Sequence, residues 1–283
     1  MRLVITGGSG YLGAGILKRA PKAWEIAATY FAHPIAQGNA AAFRVDVRRA
    51  AEIDGLFGTL RPDVVIHTAA QMTGDQMLAV NVEGSRQVAR AAAQIKARLI
   101  HVSSDVIFNG EHAPYGESAP PAPVSPYGDS KARAEQAVIE EYPHAVIVRT
   151  SLIYGFHPLD PRTRQILNGE MPRLFTDEYR CPILVDDLAD ALLELVQRDF
   201  TGVLNIAGPQ RLSRYEFGVK ITNAFGVAPR FAPALSASYP GRRPRDCTLD
   251  TSLAQRVLQT RLRRVEQVLE TSQVAFGENL TGS

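Results

Sequence analysis

The chain enters an apolar run, Leu3-Val4-Ile5, and turns at once through Thr6-Gly7-Gly8-Ser9-Gly10-Tyr11-Leu12-Gly13 into a helix-like segment, Tyr11–Arg19. Glycine lets a backbone turn sharply and approach a pyrophosphate closely, and the helix that follows offers unpaired N–H groups and a positive dipole end. The spacing satisfies both Gly8-x-Gly10-x-x-Gly13 and Gly7-x-x-Gly10-x-x-Gly13, so it leaves the subclass open. Its place between a strand and a helix predicts a dinucleotide site.

The rest of the chain fits that start. Short segments rich in Val, Ile and Ala recur at Arg2–Thr6, Glu25–Tyr30, Ala42–Val45, Val64–Thr68, Leu99–Ser103 and Ala145–Arg149. They read as strands of a parallel sheet buried on both faces. Helical patterns lie between them at Tyr11–Arg19, Ala50–Leu60, Gln76–Ile95 and Pro126–Glu141. This alternation predicts an α/β chain with a Rossmann-type doubly wound parallel sheet, whose ligands lie at the carboxyl ends of the strands. Residues 1–155 are expected to form the dinucleotide-binding domain, with later segments near 183–207 returning to its core. Prolines at 158, 161, 172 and 182 then break the rhythm, and residues 156–283 are expected to form mainly a smaller C-terminal substrate-binding lobe.

A net charge of +2 on 283 residues gives no basis for nucleic acid or an anionic membrane as partner. Two cysteines, Cys181 and Cys247, are too few for a disulfide framework and show no metal-ligand spacing, so no metal is expected. No apolar run is long enough for a membrane span, and a cytoplasmic protein is expected. A homodimer is left open.

The second chemical signal is Tyr127-x-x-x-Lys131, in SPYGDSKARAE at the start of a helix pattern. This spacing puts a phenol and an ammonium one turn apart on one face. A tyrosine working near neutrality needs its pKa lowered by ~3 units, and a lysine ammonium ~4 Å away supplies about that much Coulomb energy. Lys131 can also hold the nicotinamide ribose, and Ser104, at a strand end, can donate to a substrate carbonyl. His67, also at a strand end, reads as a buried histidine bonded to backbone rather than a base. The end of the second strand, AATYFAHP (Ala27–Pro34), carries no acid to bind a ribose 2′-hydroxyl and no arginine to bind a 2′-phosphate. Thr29, Tyr30 and His33 remain to hydrogen-bond a phosphate, which favours NADP over NAD. Asp46 either accepts from the adenine amine or caps a helix. In the second half, Arg242, Arg243 and Arg245 suggest a diphosphate clamp, with Tyr179 and Arg180 as further candidates.

Together, TGGSGYLG, DVVIHTAA (Asp63–Ala70), VNVEGS (Val80–Ser85), HVSSDVIFNG (His101–Gly110), YGDSK (Tyr127–Lys131) and VRTSLIYG (Val148–Gly155) resemble the extended short-chain dehydrogenase/reductase family. LSRYEF and RRPRDCTLDTS narrow the resemblance to its dTDP-4-dehydrorhamnose reductase group. The resemblance implies a catalytic trio of Ser104, Tyr127 and Lys131, and a pyrophosphate loop of Gly7, Gly10, Leu12 and Gly13. It further implies Asp46 at the adenine and Ala69 and Ala70 beside the cofactor. Tyr11 and Val47, adjoining these, complete the expected cofactor set. Expected substrate contacts are Asp105, Arg180, Arg242 and Arg245, although Asp105 reads equally as a turn cap. The implied activity is NAD(P)H-dependent reduction of a nucleotide-linked 4-keto sugar, with Tyr127 donating the proton. The alternatives are an epimerase of the same family and a non-catalytic NADP-binding regulatory subunit. Val106 stands where sugar-nucleotide 4,6-dehydratases carry glutamate, which disfavours dehydration.

Overall fold

The structure, a computed structural model, describes residues 1–35 and 40–271. Six strands, β1 (Arg2–Thr6), β2 (Glu25–Tyr30), β3 (Ala41–Arg44), β4 (Val64–His67), β5 (Arg98–Ser104) and β6 (Val146–Thr150), join a seventh, Gly202–Asn205, in one sheet. Its order is Gly202–Asn205, β6, β5, β4, β1, β2, β3, with every pairing parallel. All four residues of β4 are buried, as expected of a strand covered on both faces.

One face is covered by α1 (Tyr11–Arg19) and α6 (Val185–Leu195), which pack Leu12 and Ile16 with Leu188, Ala189 and Leu192 against the sheet. The other face is covered by α2 (Ala50–Leu60), α3 (Gly84–Gln94) and α4 (Pro126–Glu141), which contribute Phe57, Val88 and Val138. A third apolar cluster, with Tyr154, Ile166, Phe217 and Val265, forms the lobe around α5 (Pro161–Asn168) and α7 (Arg214–Ala224). Of residues 156–283, expected to form mainly the lobe, 272–283 lie outside the described residues. Among the described residues no helix is long and apolar enough to cross a membrane.

Two departures from the sequence reading have local causes. The helix expected from Gln76 begins instead with a wider, π-type turn, Ala79–Glu83. There the buried Asn81 side chain bonds Gln71 N (2.8 Å), Gln71 O (2.9 Å) and Ser130 Oγ (2.8 Å), competing with regular helical geometry. The stretch read as irregular after Tyr154 holds α5. Asp160 caps it through Arg162 N and Thr163 N (3.0 Å each), Pro161 starts it, and Gly169 ends it at φ +72°.

Candidate active site

The glycine loop is built by steric exclusion. Gly7 has φ +73°, and a Cβ there would lie 2.7 Å from Ala69 Cα. A Cβ at Gly13 would overlap the Gly7 carbonyl oxygen, so β1, β4 and α1 meet at distances that a larger residue forbids. Gly8 N donates to Thr29 O (2.7 Å), Gly7 N to Thr29 Oγ1 (3.3 Å) and Gly10 N to Gly7 O (2.9 Å). Gly10 caps α1 with no side-chain bond, leaving the first-turn amides for an anion.

Beside this loop opens a cavity of about 550 Å³. Of the expected cofactor residues, Gly7, Gly10, Thr29, Tyr30, His33, Asp46, Val47, Ala69 and Ala70 line it. The others stand elsewhere. Leu12 is buried in the core, and Gly13 packs on the loop. Tyr11 lines a separate cavity across the loop, where its hydroxyl donates to Pro158 O (2.9 Å) and burial, with Asp160 and Asp186, raises its pKa.

Asp46 does not cap a helix. Arg48 takes both its oxygens (2.8 and 2.6 Å) and, first among the causes, holds its carboxyl below the ordinary range. Arg48 also reaches Gln76 Oε1 (2.7 Å). Sequence reading missed the cations here because it searched the end of β2 alone. The sheet register sets Arg44 opposite Tyr30. The guanidiniums of Arg44 and Arg48 stand 5.4 and 5.5 Å from the Phe31 ring centroid, a cation–π arrangement in which Phe31 and Arg48 line the cavity and Arg44 stands beyond them.

At the carboxyl end of β5, Ser104 Oγ donates to Asp105 Oδ1 (3.3 Å). Asp105 is buried, accepts from Ser151 Oγ, and faces Arg180 Nε at 3.7 Å. It is therefore held in a network rather than capping a simple turn. Tyr127 is the second residue of α4, after an N-cap at Ser125 (to Gly128 N, 3.1 Å) and a proline at the first position. Gly128 permits the approach to β5, because a Cβ there would overlap the Val106 carbonyl oxygen. Lys131, one turn further and 2% exposed, donates to Val102 O (2.8 Å). Behind α4, Arg149 takes both oxygens of Glu135 and donates to Glu117 O and Ala119 O.

The electrostatics correct one expectation. Tyr127 is not driven down by Lys131: burial, then the charge of Asp105, pushes it up to about 12. Burial lowers Lys131 to about 8, with Glu135 opposing the shift. The ammonium is bound to Val102 O rather than to the phenol, and both groups lose solvation. The phenol is thus fully protonated near neutrality.

His67 is buried, and burial, followed by the charge of Lys131, lowers it to about 3. Its ring nitrogens meet Thr6 Oγ1 (2.6 Å) and Ser85 Oγ (3.0 Å), so its partners are side chains where backbone was expected. Arg180 donates to the carbonyls of Tyr179 (2.7 Å), Pro244 (3.1 Å) and Arg245 (3.3 Å). The expected clamp of Arg242, Arg243 and Arg245 is not assembled as one surface. Arg242 and Arg245 are exposed, whereas Arg243 pairs with the fully buried Glu178. Among the described residues no cluster of His, Cys, Asp and Glu could hold a metal.

The family model for the RmlD substrate binding domain matches residues 1–275. A dTDP-4-dehydrorhamnose reductase of Mycobacterium tuberculosis is 33% identical over 264 residues, 86% of this chain and 82% of that protein. Methionine adenosyltransferase 2 subunit beta of Xenopus tropicalis is 26% identical over 86% of this chain and 78% of its own. Among solved structures, a hypothetical dTDP-4-dehydrorhamnose reductase from Sulfolobus tokodaii superposes with a TM-score of 0.83 at 27% identity, covering 95% of this chain and 99% of that one. The chain belongs to the RmlD substrate-binding domain family, within the extended short-chain type of NAD(P)-dependent oxidoreductases.

Proposed function

We propose that the protein is an NADPH-dependent reductase of a nucleotide-linked 4-keto sugar. The observation that carries this reading is the junction of β5 and α4, where Lys131 bonds Val102 O, two residues before Ser104, and the buried Tyr127 phenol keeps its proton. A reductase needs a proton donor in the ground state, and a tyrosine raised to about 12 is one.

The cavity fits a dinucleotide by its cradle, because a Cβ on Gly7 would fill the space needed by the loop. Gly7, Ser9 and Gly10, which line the cavity, would hold the pyrophosphate, and Lys131 would hold the nicotinamide ribose. When bound, the reduced nicotinamide supplies hydride. Ser104 Oγ donates a hydrogen bond to the keto oxygen and strengthens that bond as negative charge grows there. The Tyr127 hydroxyl gives its proton to the same oxygen, and the Lys131 ammonium stabilises the phenolate left behind. NADP is favoured over NAD because Arg48 neutralises Asp46 in the cavity wall, and Arg44 adds positive charge beside it across the Phe31 ring.

The test is to add dTDP-4-dehydrorhamnose and NADPH to the purified chain and follow the absorbance of the reduced cofactor. Oxidation matching product formation supports the reductase. NADPH binding with no oxidation across several keto-sugar nucleotides overturns it and favours a non-catalytic regulatory subunit, a reading in keeping with the relative named as a subunit of methionine adenosyltransferase 2.

A further inference from the structure

The cavity that Tyr11 lines, across the glycine loop from the cofactor cavity, has a volume of about 520 Å³ and no part in the reduction. A space of that size suits a small organic ligand. Its apolar wall is built from Leu17 of α1, Trp24, Ile26 of β2 and Ile35. Each is partly buried and packs against the core, with a remaining face toward the cavity. Gly8 and Ser9 of the glycine loop belong to the wall, and Ser9 lines the cofactor cavity as well. Pro158 and Val185 bring in the lobe's first loop and the start of α6. Tyr11 joins these parts, because its hydroxyl donates to Pro158 O (2.9 Å).

The charges at this wall are unevenly matched. Lys18 and Lys22 line it, both exposed, and among the described residues neither makes an ion pair. Their neighbour Arg19 is the contrast, since it engages both oxygens of Asp190 and one of Asp186. Asp186 is the one carboxylate among the described residues of the wall, and Arg19 already neutralises it. Two ammonium groups are therefore left without a partner beside an indole and an aliphatic surface. Such a wall selects an occupant that carries both a ring and a negative charge. A free phosphate would leave the apolar surface wet, and a neutral sugar would serve neither feature.

We propose that this cavity is a second ligand site, taking a small aromatic carboxylate and coupled to cofactor binding through the glycine loop. The ring packs on Trp24, and the carboxylate pairs with Lys18 and Lys22. The occupant rests on Gly8 and Ser9, and the cofactor on Gly7, Ser9 and Gly10, so each bears on the loop that holds the other. Coupling of this kind is reciprocal. It requires cofactor binding alone and is independent of which substrate is reduced.

Trp24 is the only tryptophan of the chain, so its emission reports directly on this cavity. The probe is 3-phenylpropionate, titrated into the full chain with and without saturating NADP. A saturable shift of Trp24 emission is expected, with the neutral 3-phenylpropionamide binding roughly fivefold more weakly or worse. The Lys18→Gln/Lys22→Gln double variant should lose about the same affinity for the acid. Lys96→Gln, just beyond α3 on the opposite face of the sheet, should bind as the parent does, and circular dichroism checks the fold of each variant. Saturating NADP should change the affinity for the acid by roughly fivefold or more while leaving binding measurable. No emission shift, equal binding of acid and amide, full affinity in the double variant, or an affinity blind to NADP overturns the proposal. Complete exclusion by NADP overturns it too, because the probe would then occupy the cofactor cavity. None of these measurements needs turnover, so the reductase reading stands or falls separately.

Discussion

The Lys131 ammonium lies 2.8 Å from the carbonyl oxygen of Val102, two residues before Ser104 on β5. The contact ties the helix that carries Tyr127 to the strand that carries the other hydroxyl. The phenol keeps its proton because burial, then the charge of Asp105, raises it.

Tyr127→Phe removes the proton donor and little else. Turnover should fall by roughly 10²–10⁴-fold, while NADPH affinity, measured by calorimetry, stays within about twofold. Retained turnover would sink the assignment of Tyr127.

The pH profile should carry the mark of Lys131. Its ammonium, lowered to about 8, is lost as pH rises through that value, whereas the phenol at about 12 contributes no limb until far more alkaline conditions. The kcat/KM for reduction, which reports the free enzyme, should therefore decline above pH ~8. A profile flat to pH ~9.5 would remove the charge of Lys131 from the mechanism.

Arg48→Ala should act twice on cofactor choice. It deletes a cation at the rim and frees Asp46, whose carboxylate then repels a 2′-phosphate. NADPH affinity should drop roughly tenfold or more and NADH affinity far less. Equal losses for both cofactors would argue against a phosphate role.

The Arg149–Glu135 pair sets up a stability test. Both side chains are 5% exposed or less, so Arg149→Met leaves a buried carboxylate uncompensated and should cost about 3–5 kcal/mol in urea unfolding. Adding Glu135→Leu should recover most of that loss. A double variant no better than the single one would show that the pair's backbone contacts, rather than its charge, dominate.

Acid should weaken the fold through the histidines of β4 and β5. His67 titrates near 6.5 when unfolded and about 3 when folded, and His101, its tilted ring 5.2 Å away with neither nitrogen bonded, is lowered in the same direction by burial first. The unfolded chain takes up protons first as pH falls, so the stability that rests on neutral His67 is lost between those values by up to ~1.4 kcal/mol per pH unit, and His101 acts in the same direction. His101→Leu should shrink the difference between urea midpoints at about pH 7 and about pH 5. An unchanged difference would place the acid sensitivity elsewhere.

Whatever depends on local pattern was readable in the chain: the period of buried strands, the strand–glycine–helix junction, and the tyrosine and lysine one turn apart. The residues that lay hidden are those joined by tertiary register. Arg44 comes to stand opposite Tyr30 through the β2–β3 pairing, Arg48 lines the cavity from beyond β3, and Gly128 matters because of Val106, twenty-two residues earlier. The direction of the Tyr127 shift was misjudged for a related reason: spacing places two side chains on one face without telling what else each can bond. The α5 helix was different. Its Asp160 cap, Pro161 start and Gly169 end are all written in the sequence, but the surrounding prolines masked them.

The strand Gly202–Asn205 hydrogen-bonds to β6 after the chain has already built α5 and the start of the lobe. The polypeptide thus leaves the sheet, makes part of its neighbour, and comes back before finishing it. Substrate recognition in such a molecule is not a cassette that recombination can lift out and replace. A cut near residue 155 would strip β6 of its outer neighbour and α1 of α6. New specificity in this lineage must then arise by substitution in place, one loop residue at a time, under the continual demand that the sheet stay whole.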